Sequence, residues 1–474
     1  MVWMELVREA LQTHIDCGVF AAFNANIDVV VQVTPAQLKK IFVHEPACFV
    51  DPPLEPRRLW SVETSTHFLA LLQECMVEGK SYYGVMDMKL AKWLDANFCA
   101  KNEAMGGQAG IIANQMAALG AKSHVYNPVL SAKQARVYHH QVMFPIITNG
   151  LRWVPIDKGV NDSWTKVNYI FEYPKETRYV FGSQEIVTPR ANRIILGTRN
   201  HKAAMGFDKE MEAYLPELGQ RFQVGFMAGY HHGRIAGRAD TLASYIALSL
   251  KQLCSLREKN PELQLHLEYV PMQDSAEEVT LLEALIPEFT SFGINENEIL
   301  RLLVELGNNA LASEIKTNER AFSLYEGTLA LFRHFKISRI QLHNLGYYIL
   351  ILAKPYPVLP ALVRQACLFA SAVNGIKAKK GGVVFADDLV EMRDYPLSQI
   401  GLRQLVSFAE EARTQGLPIP SDFTESGIME TSDHYLVLVP AHVVPNPVST
   451  VGMGDTISSS SFVAEISLGR LNSI

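Results

Sequence analysis

The sequence specifies an α/β protein built on a mostly parallel sheet flanked by helices, with a smaller β-rich unit inserted into it. Three observations lead there. The 474 residues exceed what one hydrophobic core usually organises. Through the second half of the chain, apolar strands alternate with amphipathic helical stretches, a pattern met by right-handed crossovers onto a parallel sheet. Two earlier regions break that rhythm.

The apolar run CGVFAAF (17–23) is the first strand, ending in the polar Asn24-Ala25-Asn26-Ile27-Asp28. Residues 30–104 hold the Pro-rich EPACFVDPPLEP and irregular polar segments. Within 156–195, the runs VNYIFEYP and TRYVFGSQEIV read as a hairpin with one face exposed. FQVGFMAGY (222–230) is a buried strand followed by a helical run over 239–256. LQLHLEYV (263–270) precedes a helix near 275–286. SRIQLHN (338–344) leads through a loop to a helix around 359–376. HYLVLVP (434–440) is a late strand, and a helix starts near Gly454. The expected large domain is thus 1–29, 105–155 and 196–474, and the small unit, placed to act as a lid, is 30–104 with 156–195.

Composition narrows the function classes. Apolar residues make up 48% and charged residues 19%, ordinary values for a globular protein. A net charge of -6 argues against nucleic acid as a partner. The opening MVWMELVREALQTHIDC lacks the basic and apolar regions of a signal peptide, and no run approaches a membrane span. Cys17, Cys48, Cys75, Cys99, Cys254 and Cys367 are scattered without a CxxC pair, which suits free thiols in a cytoplasmic setting. A monomer or small homo-oligomer is expected.

The strongest local signal is Thr450-Val451-Gly452-Met453-Gly454-Asp455-Thr456, between an apolar strand and a helix of small residues. Glycines let the backbone turn tightly and present N–H groups, and a helix N-terminus attracts anions. Phosphoryl transfer develops charge that such a cradle stabilises, and an aspartate inside it can take the proton of an attacking hydroxyl. The same aspartate can equally serve only as a helix cap. Met105-Gly106-Gly107-Gln108-Ala109-Gly110 repeats the glycine-before-helix pattern, for close approach of a ligand or merely of a neighbouring strand. Asn26 and Asp28 stand at a strand's carboxyl end, where open α/β sheets bind ligands, though Asn and Asp also form plain turns. His266-Leu267-Glu268 and Asn295-Glu296-Asn297-Glu298 carry the hard oxygen ligands that Mg²⁺ takes, although a solvated or capping glutamate is the commoner role, and Glu298 is spaced to complete a capping box with Asn295.

In this order, NANID, MGGQAGIIAN, IFEYP, PRANR, HLE, NENE and NPVSTVGMGD resemble the ADP-dependent sugar kinases of the ribokinase-like superfamily, the archaeal ADP-dependent glucokinase and phosphofructokinase group. The resemblance spans nearly the whole chain. It implies a large α/β nucleotide domain and a β-rich lid that closes over the sugar. Carried onto this sequence, it makes Asp455 the base and the N–H groups of Gly452, Met453 and Gly454 the anion hole. Glu268 and Glu298, with Asp455, become the Mg²⁺ site, acting through water. Asn26, Asp28, Gly106, Gly107 and Gln108 become sugar contacts, and Arg193 reaches the phosphates of ADP, with Arg190 the weaker candidate. His343 with Tyr347, and the stretch from Val439 to Val443, fall where the family houses adenine.

The same resemblance bears on the sugar. Lys166 matches the lysine that phosphofructokinase members use for the 6-phosphate, and Arg199 and Lys202, shortly after the lid hairpin, are placed to help. Glucokinase members place a glutamate after a Gly-Lys pair; here Gly79-Lys80-Ser81-Tyr82-Tyr83-Gly84 carries no acid. The expected reaction is therefore transfer of the β-phosphoryl of ADP to the 1-hydroxyl of fructose 6-phosphate, releasing AMP. The alternatives are an ADP-dependent glucokinase or bifunctional enzyme, an ATP-dependent ribokinase-type kinase, and a non-catalytic sugar-phosphate sensor. A P-loop kinase is disfavoured, since no GxxxxGK[ST] occurs.

Overall fold

The computed structural model of the chain describes residues 2–46, 61–99, 102–198, 205–272 and 274–471. Its large sheet has eleven strands. Seven run parallel, in the spatial order Met143–Ile147, Lys122–Tyr126, Gly18–Phe23, Val224–Ala228, Gln264–Glu268, Ser291–Asn295 and Arg339–His343. Helices cover both faces, which is why the central strands are continuous apolar runs; every residue of Gly18–Phe23 is buried. The strands at 224–228, 264–268, 339–343 and 434–440 and the helices Leu242–Arg257, Ser275–Leu285, Pro360–Lys380 and Met453–Leu471 fall where the pattern placed them.

The segment after His343 is a departure. Expected to be loop, it contains the strand Tyr347–Ala353, which turns back antiparallel on Arg339–His343 and pairs on its other side with His434–Pro440. YYILILA is a short apolar run, and periodicity alone does not distinguish it from other buried segments. The other edge also ends antiparallel, at Leu151–Pro155.

A second sheet of six strands is mixed, in the order Ser61–Val62, Tyr82–Met86, Asn192–Thr198, Val167–Tyr173, Asn26–Gln32 and Asn102–Gly106. It has its own core, in which Ile27, Val29, Val31, Phe171, Ile194 and Leu196 pack under Phe68, Leu72 and Leu94. The expected hairpin is corrected here. Val167–Tyr173 pairs with Asn192–Thr198 and Asn26–Gln32, while TRYVFGSQEIV folds on itself as Arg178–Phe181 against Gln184–Val187. The tight turn at Gly182, with φ of 56°, closes that ribbon locally. Sheet membership also moves the expected boundaries by a few residues. The chain leaves the large sheet after Phe23 rather than 29, Gly106 still belongs to the small sheet, and its last strand runs to Thr198.

Side chains alternate across a strand. With Ile27, Val29 and Val31 in the small core, Asn26, Asp28 and Gln32 lie on the opposite face, as do Asn168 and Glu172 beside Tyr169 and Phe171, and Arg193 beside Ile194. That polar face is where the small sheet meets the large one. Among the described residues no helix is long and apolar enough to cross a membrane, and Cys17, Cys75, Cys99, Cys254 and Cys367 are free. Cys48 lies outside the described residues.

Candidate active site

The carboxyl ends of the parallel strands gather the chemistry, the position that open α/β sheets use for ligands. Glu268, Asn295 and His343 are each the last residue of adjacent strands, and Asn24 follows the end of a fourth. Above them stands the start of the Met453–Leu471 helix. Gly452 precedes it with φ of 66°, a conformation costly for side chains with a Cβ, and the Thr456 N–H and hydroxyl both bond its carbonyl. Among the described residues the N–H groups of Gly452, Met453 and Gly454 have no protein acceptor, as expected of a helix's first turn. They are available to an anion. Asp455 sits in that turn, half-buried.

Asp455 does not stand alone. Burial pushes its carboxyl up to about 7, the Glu268 and Asp28 carboxylates push the same way, and the Lys377 ammonium opposes them. Glu298 goes up to about 8, from burial and from the charges of Glu268, Asp455 and Glu296. Burial likewise raises Glu268, countered by His343 and Arg339. Glu268, Glu298 and Asp455 thus form a patch of mutually repelling acids, a repulsion that a cation would relieve. No group of three or more His, Cys, Asp or Glu among the described residues is drawn close enough to hold an ion directly. The arrangement suits a cation that keeps its waters, as Mg²⁺ commonly does. Glu298 also completes the capping box, accepting the Asn295 N–H at 3.0 Å and donating its own N–H to Asn295 Oδ1 at 2.9 Å.

The sugar-side residues converge. Asp28 Oδ1 accepts from Asn26 Nδ2 at 2.7 Å and from Asn168 Nδ2 at 3.4 Å. Burial pushes the Asp28 carboxyl up to about 6, against those amides and the charges of Lys166 and Arg193. Gly106 pairs with Asn26, and a Cβ there would fall 2.2 Å from Asp28 Oδ1, so only glycine leaves both side chains in place. Gly107 has φ of 73° and caps the following helix, and its neighbour Gln108 reaches the Glu268 carbonyl at 3.2 Å while its Oε1 stays buried without a partner. Lys166 is 8% exposed and donates to Asn24 Oδ1 at 2.5 Å, at the point where the chain crosses between sheets. A solvated surface lysine it is not. Arg193 shares the polar face with Asp28, whereas Arg190 Nε is taken up by the Gly79 carbonyl. Arg199 and Lys202 lie outside the described residues.

The residues assigned to adenine are divided. His343, Tyr348 and Val439 form one row across three strands, so the two segments are neighbours. The His343 imidazole, however, lies 3.6 Å from Glu268 Oε1 and beside Gly454, with the acids. Tyr347 and Val439 are buried, whereas Val443, like His343, is partly exposed. Sequence reasoning missed Asn168, Gly293 and Lys377. Gly293 had a signal, an isolated glycine inside a strand: a Cβ there would fall 1.9 Å from Glu268 Oε2. Asn168 and Lys377 had none.

A glycine turn feeding an aspartate-bearing helix over a parallel sheet, faced by the polar side of a second sheet, is an arrangement suited to phosphoryl transfer. Residues 17–464 match the ADP-specific Phosphofructokinase/Glucokinase conserved region. The chain is 31% identical to the ADP-specific phosphofructokinase of Methanosarcina acetivorans over 96% of this chain and 94% of that protein. Its structure is similar to that of the last common ancestor of ADP-dependent phosphofructokinases from Methanosarcinales, with TM-score 0.83, 29% identity and coverage of 98% and 96%. An ADP-dependent kinase complex with fructose-6-phosphate and ADPβS is similar with TM-score 0.83, 28% identity and coverage of 98% and 97%. The chain therefore belongs to the ADP-specific phosphofructokinase/glucokinase family and is an ADP-dependent sugar kinase.

Proposed function

We propose that this chain is an ADP-dependent phosphofructokinase, converting fructose 6-phosphate and ADP to fructose 1,6-bisphosphate and AMP. The carrying observation is Lys166, a buried ammonium on the side of the cleft that holds Asn26 and Asp28. Held beside Asn24 and within the field of Asp28, that ammonium is placed to donate charge-assisted hydrogen bonds to a sugar phosphate. Tyr83, where a glucose-holding acid would fall, pairs with Ile195 on the cleft side of the small sheet and brings no carboxylate there. Relatives named as ADP-specific phosphofructokinases, and the similar kinase solved with fructose 6-phosphate, support the same reading.

In this mechanism Asn26, Asp28 and the Gly106–Gln108 backbone orient the sugar's hydroxyls. Asp455 accepts the proton of the 1-hydroxyl, whose oxygen forms a bond to the β-phosphorus as the bond to the bridging oxygen breaks and AMP departs. The N–H groups of Gly452, Met453 and Gly454 stabilise charge on the transferring group. Glu268, Glu298 and Asp455 would hold hydrated Mg²⁺, which supplies charge neutralisation at the phosphates. The small sheet acts as a lid, and Arg193 meets the nucleotide's phosphates on closure. A coupled assay pairing ADP or ATP with fructose 6-phosphate or glucose tests the reading. Turnover of glucose with ADP, and none of fructose 6-phosphate, would replace it with a glucokinase.

A further inference from the structure

Lys377 is 7% exposed and lies near the end of the helix Pro360–Lys380. That helix packs along Met453–Leu471, the helix whose first turn carries Asp455. Its last turn is fastened to the segment leading into the glycine turn: the Val448 N–H bonds the Ala378 carbonyl at 2.8 Å. A Cβ on Gly381 would touch both Val448 and Ser449 at 3.3 and 4.0 Å. Lys377 is therefore held against the base of the anion cradle.

Its own bonding is incomplete. An ammonium has three donors, and Lys377 Nζ gives one to the Gly382 carbonyl at 3.1 Å. Among the described residues no carboxylate lies within ion-pair distance of it. A buried charge with a single neutral acceptor is expensive, and such groups are retained where something else supplies the counter-charge. The electrostatics place it beside the reacting centre as well: Asp455 is the one charged group that opposes the drop that burial imposes on Lys377.

We infer that Lys377 is a further catalytic residue, its ammonium contacting the β-phosphoryl of ADP opposite the N–H groups of Gly452, Met453 and Gly454. This rests on the phosphoryl-transfer reading above but not on which sugar accepts the group. A point charge at that place serves both the β-phosphate of bound ADP and the charge that develops as it is transferred. AMP lacks the β-phosphate, so the two nucleotides separate this role from a structural one.

The test is calorimetric titration of ADP and of AMP, with Mg²⁺, into wild type and Lys377→Met, alongside thermal melting and turnover. A lost charge-assisted contact to phosphate should weaken ADP by about 10- to 150-fold and leave AMP within about 2-fold. Turnover should fall by at least the same factor, and Lys377→Arg should recover part of both losses. Equal changes for the two nucleotides, or none for either, would assign Lys377 to holding the Gly382 loop and overturn the inference. Should Lys377→Met fail to fold, Lys377→Gln keeps a donor for the Gly382 carbonyl and carries the same comparison. A wild type that binds ADP but phosphorylates only glucose refutes the phosphofructokinase reading alone. A working phosphofructokinase whose lysine variant does not distinguish ADP from AMP refutes the lysine alone.

Discussion

His266 Nε2 lies 3.0 Å from Glu268 Oε2, with both side chains buried. Behind it His266 Nδ1 meets Ser291 Oγ at 2.8 Å, and Ser291 also accepts Arg339 Nη1 at 2.8 Å. Arg339 is sealed from solvent and bonds Glu465 Oε2 at 2.9 Å. An ionised Glu268 can only accept, so Nε2 carries the imidazole proton and Nδ1 takes the Ser291 hydroxyl. One oxygen of Glu268 is thereby committed, leaving Oε1 turned toward His343 and the helix start.

If that chain orients Glu268 toward a hydrated cation, Ser291→Ala should raise the Mg²⁺ concentration for half-maximal rate by about 10-fold. The fructose 6-phosphate KM should change far less. Glu268→Gln and Glu298→Gln should act in the same direction. Unchanged Mg²⁺ titrations in the two glutamine variants would make these acids structural.

Asp455→Asn preserves size and removes the proton acceptor. Turnover should drop by about 10² to 10⁴-fold with nucleotide binding largely intact. Near wild-type turnover would dismiss Asp455 as the base.

The raised carboxyls make opposite demands on stability and activity. Asp28, Asp455 and Glu298, pushed up to about 6, 7 and 8, keep protons in the folded protein that the unfolded chain releases at about pH 4. The native state therefore binds more protons, and stability of the ligand-free protein falls as pH rises from about 4 through about 8. Glu298→Gln should flatten that slope in melting curves, by on the order of 1 kcal/mol at pH 8. Activity runs the other way: kcat/KM should climb with pH up to about 7 as Asp455 ionises. A rate that declines between pH 6 and 7 would contradict the assignment.

Acceptor choice turns on Lys166. Lys166→Ala should lower kcat/KM for fructose 6-phosphate by about 10- to 150-fold while sparing any glucose activity. Because Asn24 loses a donor, some loss of thermal stability should accompany it. Tyr83→Glu should create or enhance glucose phosphorylation. Equal losses on both sugars would return the enzyme to the glucokinase or bifunctional reading.

What the sequence by itself determined is what neighbouring residues control. Gly452 before a run of small residues sets a turn and a helix start within four positions, and the apolar runs at 224–228, 264–268 and 434–440 mark strands buried on both faces. The small unit's pairing was not legible: Val167–Tyr173 chose partners at 26–32 and 192–198 over the adjacent run, because sheet pairing is settled by packing across sequence distance. Tertiary structure alone placed Glu268, Glu298 and Asp455 within each other's field and drew Lys377 in beside them. It also turned His343 toward the acids. Burial and Coulomb interactions depend on everything that surrounds a group, and those surroundings arrive from strand ends and helices separated by up to hundreds of residues.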